Sequence, residues 1–244
     1  MFGLLLVGQA FATWSIIAVD PETGEVGMAG ATCGPMVWGI AGLAPGHGVV
    51  AAQYDTWVKG RKHAVAALEE GQSPSDALAG LLDEDKSPEV RQWAIVGFDS
   101  APVGYTGAEV EAPFAIQAGD TWSVQGNTLA SEDVVTSSAA AFEQAEGPLA
   151  DRLVEALQAG AAEGGDHRCD PEDAAKSAFV YVAVDGDRGR EPTVELRASG
   201  RGAVAELAER YAEGDRSCGV AAGRPSGLLA LISLLAARRR RTLS

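Results

Sequence analysis

"TWSIIAVDPETGEVGMAGAT", residues 13–32, decides the fold. Two runs rich in Ile, Val, Ala and Thr flank "DPETGE", whose Asp, Pro and Gly are turn formers. The pattern predicts a β-hairpin with strands over Trp14–Val19 and Glu25–Thr32. Downstream, "GVVAAQYDT" (48–56) reads as a third strand. The spacing of apolar residues then changes to three and four in "WVKGRKHAVAALEEG" (57–71) and "SPSDALAGLLDED" (73–85), which predicts two helices. Gly71 suits the end of the first helix, while Ser73 as cap and Pro74 as first helical residue open the second.

"RQWAIVGFDS" (91–100) and "PVGYTGAEV" (102–110) predict a second hairpin, and "TWSVQGNTLA" (121–130) a further strand. Helices follow over Glu132–Glu143 and Pro148–Ala161. Strands Ser177–Asp185 and Thr193–Ala198 and a helix Ala203–Glu213 close the domain. Strands first, then paired helices, then strands and helices again describe an α+β domain of layered sheets and helices. The order lacks the βαβ alternation of a doubly wound sheet, and neither a GxGxxG nor a P-loop lysine motif occurs, which disfavours nucleotide chemistry.

The charge is uneven. Residues 13–217 hold 34 acidic against 14 basic groups, a net of −20, whereas the five basic residues beyond Cys218 face no acidic partner. A body this acidic repels nucleic acid and anionic lipid, so neither is an expected partner. The three histidines, His47, His63 and His167, accompany no GxSxG elbow for a serine triad. No HExxH or CxxC spacing calls for a metal, and "GGDHRCD" (164–170) reads as a solvated loop, so neither metal nor cofactor is expected.

Both ends read as addresses. "MFGLLLVGQAFA" (1–12) joins an apolar run to Ala10-Phe11-Ala12, the small-x-small pattern of a signal-peptidase cut. It lacks a basic n-region and its apolar run falls short of the usual seven or so residues, as for a chain whose true start lies further upstream. "SCGVAAGRPSGLLALISLLAARRRRTLS" (217–244) carries a cysteine, a Gly/Pro spacer, the apolar run Leu228–Ala237 and an arginine cluster. The run is shorter than the ~20 residues that span a bilayer. This end resembles the C-terminal sorting tails of myxobacterial surface proteins, which implies removal during surface anchoring with Cys218 near the processing point. The expected organisation is an export signal (1–12), one domain (13–212) and a linker with sorting tail (213–244), and the expected location is the cell surface or beyond.

A cut after Ala12 makes Thr13 the first residue. A threonine hydroxyl is a weak nucleophile unless a base takes its proton, and a free α-amine, with an ordinary pKa near ~8, is such a base. Spacing alone leaves Thr13 open to a second reading as an ordinary strand residue.

"TWSIIAVDPETGEVGMAGAT", "GVVAAQYDT", "SPSDALAGLLDED", "RQWAIVGFDS", "YTGAE" (105–109), "SVQGNTLAS" (123–131) and "GGDHR" (164–168) occur in this order in one family. By them the chain resembles the Ntn-hydrolase-like family catalogued as domain of unknown function 1028, over roughly Thr13 to Arg210. Members typically begin Thr-Phe-Ser-Ile, and here Trp14 replaces the Phe. The resemblance implies an Ntn-type αββα four-layer sandwich and amidohydrolase chemistry on an amide or peptide bond. Thr13 would be nucleophile and base, with Ser15 on the same strand face orienting the amine or only packing.

In "QGN", Gly126 would let backbone approach a ligand, Gln125 would bind or orient substrate and the Asn127 amide would donate to the oxyanion, unless the segment is only a turn. Asp166 and Arg168 would bind a substrate carboxylate or tune the amine, or else form a loop ion pair. Tyr54 and Asp55 stand at a strand end where site residues occur. If the chain is exported, Cys33 and Cys169 would pair, with two unrelated buried thiols as the alternative; Cys218 is then left for tail processing. Expected partners are an amide-bearing small molecule or peptide, the sorting machinery of the surface and, as a homo-oligomer, further copies of the chain. The rival functions are a non-catalytic surface module on the same fold and a cytosolic hydrolase, which free thiols at Cys33 and Cys169 would favour.

Overall fold

The computed structural model describes residues 13–187 and 192–215, so the expected export signal (1–12) and, from residue 216 on, the expected sorting tail with Cys218 lie outside the described residues. The opening hairpin is present, with β1 (Thr13–Asp20) and β2 (Glu25–Thr32) paired antiparallel from Thr13↔Thr32 to Asp20↔Glu25. Its turn is fixed by the Asp20 carboxylate, which accepts from the backbone of Glu22 at 2.9 Å and Thr23 at 3.3 Å. Gly24 supplies the positive φ of 74° that the turn needs before β2 begins.

Thirteen further elements follow. They are β3 (Ala41–Ala44), β4 (Gly48–Tyr54), α1 (Val58–Glu69), α2 (Pro74–Glu84), β5 (Arg91–Gly97), β6 (Val103–Thr106) and β7 (Ala115–Ala118). Then come β8 (Trp122–Asn127), α3 (Asp133–Gln144), α4 (Leu149–Ala162), β9 (Ser177–Ala183), β10 (Val194–Ser199) and α5 (Ala203–Ala212). The strands form two antiparallel sheets, six-stranded in the order β10-β9-β2-β1-β8-β7 and four-stranded in the order β3-β4-β5-β6.

Side-chain alternation sorts these strands into three cores. Trp14, Ile16 and Ala18 point outward from the six-stranded sheet onto Phe142 of α3, Leu153 and Leu157 of α4, and a core that includes Leu207 of α5. Ile17 and Val19 point the other way and meet Val49 and Ala51 of β4 and Ala94 and Val96 of β5, between the sheets. Val50, Ala52, Trp93 and Ile95 face α1 and α2 through Ala64, Leu68, Ala77 and Leu81. The domain is therefore an α+β sandwich of helices, sheet, sheet and helices. Strand β1 lies near the middle of its sheet and is buried on both faces. That explains why its sequence is apolar at odd and even positions alike.

The helix-end signals act as expected. Ser73 Oγ accepts from the Asp76 backbone at 3.1 Å, Pro74 opens α2, and Gly71 leaves α1 at φ 83°. Two strands escaped the sequence reading: β3 and β7, each four residues long and each at a sheet edge. So did the 3-10 turn Val37–Ile40, which links the hairpin to β3.

Candidate functional site

Thr13 is the first residue of β1, set between Thr32 of β2 and Asn127 of β8. The two-residue period places its side chain with Ser15 and Ile17 on the inter-sheet face. A register slip of one residue would turn it into the helix-side core. Thr13 is only 1% exposed, and it borders a pocket of about 220 Å³ at the end of the inter-sheet space. The wall comes from Thr32, the segment Gly34–Val37, Gly39, Ile40, Tyr54, Thr56 and Val58. Among the described residues no Asp, Glu, Lys, Arg or His lines it.

Behind Thr13 the inter-sheet face turns polar. Ser15 Oγ accepts from Gln53 Nε2 of β4 at 2.8 Å and from Gln125 Nε2 of β8 at 2.5 Å, and Ser123 donates to Gln125 Oε1 at 3.0 Å. Asn127 Nδ2 donates to Gln92 Oε1 of β5 at 2.9 Å, and Gln92 Nε2 donates to the Gly126 carbonyl at 2.9 Å. All these side chains are buried. Gln53 Oε1 is buried without a partner among the described residues, but the amides of Gln53, Gln92 and Asn127 bond across the two sheets, and such bonds fix how the sheets meet. They thereby fix the strand end that carries Thr13.

The pocket wall 33–37 is braced from the other side. Cys33 and Cys169 form a disulfide, with Cα atoms 5.6 Å apart across 136 residues of sequence. A bridge closing so long a loop typically contributes ~2–4 kcal/mol, and such bridges persist in oxidising compartments. Asp166, fully buried, receives the guanidinium of Arg168 on both oxygens, Nε at 3.0 Å and Nη2 at 2.7 Å. The same carboxylate accepts from the Cys33 backbone at 2.6 Å and from Thr32 Oγ1 at 3.3 Å. Ser177 Oγ donates to the Gly34 carbonyl at 2.7 Å and accepts from the Val37 backbone at 3.1 Å.

Of the residues singled out in the sequence, Thr13 and Tyr54 reach the pocket. Tyr54 does so at φ 70°, an uncommon conformation for a side chain of its size. It ends β4 and turns the chain toward α1. Ser15, Gln125 and Asn127 form the layer behind Thr13. Asp166 and Arg168 are joined to each other and to the wall. Asp55 pairs with Arg91 at 2.8 Å, away from the pocket lining. Gly126 faces the helix layer, where an added Cβ would meet Leu129 Cδ2 at 2.8 Å, so packing accounts for that glycine.

Several contributors were not anticipated: Thr32, Gln53, Gln92 and the apolar wall of Pro35, Met36, Val37, Ile40 and Val58. Gln53 and Gln92 carried a signal, since each stands at an inward position of an otherwise apolar strand. The wall carried none, because it lies largely in irregular chain.

The profile of a family described as "Family of unknown function (DUF1028)" matches residues 13–207. The chain belongs to this family. A crystal structure assigned to DUF1028, of a protein from Silicibacter pomeroyi, aligns at a TM-score of 0.72 with 26% identity, over 83% of this chain and 89% of that one. No curated protein matches. The DUF1028 match begins at Thr13, the residue that opens β1 and borders the pocket. Among the described residues no helix is long and apolar enough to cross a membrane.

Proposed function

We propose that this DUF1028 chain is an Ntn-type hydrolase that cleaves an amide or peptide bond through Thr13. Its helix-sheet-sheet-helix layers are then the Ntn-hydrolase sandwich. The observation that carries the reading is the position of Thr13: it opens a central strand, its side chain borders the pocket, and among the described residues that line the pocket none is a His, Lys, Asp or Glu. The α-amine of Thr13, freed by a cut after Ala12, is then the group available to take the hydroxyl proton.

Thr13 Oγ attacks the substrate carbonyl carbon as the amine takes its proton. The Asn127 amide, paired with Thr13 in register, has one N–H committed to Gln92 and a second to offer the oxyanion. The ammonium returns its proton to the leaving amine as the C–N bond breaks, which leaves an ester on Thr13. Water, deprotonated by the same amine, attacks that ester and releases the carboxylic acid. Export through residues 1–12 and surface sorting through residues 213–244 with Cys218 complete the proposal, and the disulfide suits the oxidising side of a membrane.

The test compares two chains, one beginning at Thr13 and one retaining Ala12, against a panel of N-acyl p-nitroanilides. Release of nitroaniline by the first chain alone is the expected result. Equal release by both ends the proposal, because a blocked amine cannot act as the base. A surface module without catalysis gives release by neither.

A further inference from the structure

Among the described residues four large apolar side chains are exposed, and two of them, Met36 at 67% and Val58 at 48%, belong to the rim of the pocket beside Thr13. Pro35, Val37 and Ile40 extend the same apolar surface inward. The charged pair that braces this wall, Asp166 with Arg168, is bonded to itself and to Thr32 and Cys33, and neither member is among the residues that line the pocket. Among the described residues no lining side chain offers a counter-ion to a charged group, and burying an unpaired charge is strongly unfavourable. The wall is also preformed, held by the disulfide and by Ser177, so apolar contact is not offset by the cost of ordering a loop. In size, an apolar cavity of about 150 Å³ takes up benzene, and this pocket offers about 220 Å³.

Resting on the assignment of Thr13 as nucleophile, we propose that the pocket binds the acyl side of the substrate and selects an uncharged, apolar side chain of leucine or phenylalanine size. The acyl group is transferred to Thr13 in the first chemical step and released from it in the second, so contacts beside Thr13 act on both.

The experiment uses the chain beginning at Thr13 and the N-acetyl p-nitroanilides of leucine, phenylalanine, alanine, glutamate and lysine. The leucine and phenylalanine substrates should exceed alanine in kcat/KM, leucine by about 30- to 100-fold for its three additional buried carbons. Glutamate and lysine should fall below alanine. Met36→Lys, a change on the exposed rim, should raise glutamate relative to leucine by about tenfold.

Calorimetric binding of N-acetyl-leucinamide and of the α-amide of N-acetyl-glutamate to the Thr13→Ala chain separates this proposal from the catalytic one. Saturable binding of the leucinamide alone supports the pocket assignment even if no anilide is cleaved, a result that would sink only the role of Thr13. Glutamate amide binding as tightly as leucinamide, or no saturable leucinamide binding up to its solubility limit, overturns the proposal.

Discussion

Thr13→Ala is expected to lower amide hydrolysis by about 10⁴-fold or more while leaving the fold in place. The size of the loss follows from what the substitution removes. Among the described residues of the pocket lining, the other hydroxyls are those of Thr32, Thr56 and Tyr54, none with a lining base beside it. The α-amine survives the change, but it then has no hydroxyl to activate. Structurally the change is mild, since Thr13 stands at a strand end and loses one hydroxyl and one methyl group. A cost near ~1 kcal/mol corresponds to a fall in Tm of about 2–4 °C for a domain of this size. Progress curves on the best N-acyl anilide, run beside a thermal melt, give both numbers. Retained turnover in a folded Thr13→Ala chain would remove Thr13 from the mechanism.

Asp166→Ala has the largest expected effect on stability. The buried carboxylate accepts from the Arg168 side chain, the Arg168 backbone at 3.0 Å, the Cys33 backbone and Thr32 Oγ1. Removing it strands two backbone N–H groups and takes from the guanidinium both of its hydrogen bonds to a buried carboxylate. Breaking a fully buried ion pair costs about 3–5 kcal/mol. The Arg168 side chain is 32% exposed and keeps some hydration, so a loss of about 2–4 kcal/mol is expected. That corresponds to a Tm lower by about 5–15 °C. Asp166→Asn, which can still accept from the Cys33 backbone, should recover about half of the loss. Circular-dichroism melts of the oxidised proteins measure both changes. A Tm within 2 °C or so of the parent for Asp166→Ala would show that the disulfide and Ser177 hold the wall without it.

The sequence disclosed the frame of this molecule more fully than its site, for physical reasons. Strands such as β1, β4, β5 and β9 are buried along almost their whole length, and each contains an unbroken apolar stretch, 16–19, 49–52, 93–96 and 178–183. Edge strands β3 and β7, with "AGLA" and "AIQA", are too short and too poor in β-branched residues to announce themselves. Helix α2 was legible through its cap because Ser73 and Pro74 act locally.

The site depends on non-local facts. Thr13 could be singled out through the family resemblance, but its partner Thr32 follows only from the hairpin register. Asp166 and Arg168 were legible as a pair. Their hold on Thr32 and Cys33 was not, because more than 130 residues separate them. The apolar wall was the least readable part, since a 3-10 turn and loop have no hydrophobic period to follow.

The central claim is that Thr13 carries a free α-amine in the working protein. N-terminal sequencing of the protein recovered from its native host, together with its intact mass, tests this most directly. A mature chain that begins Thr-Trp-Ser-Ile at residue 13 is the expected result. A chain that keeps Ala12 or any earlier residue would contradict it, leaving the fold and pocket intact but the nucleophile without its base.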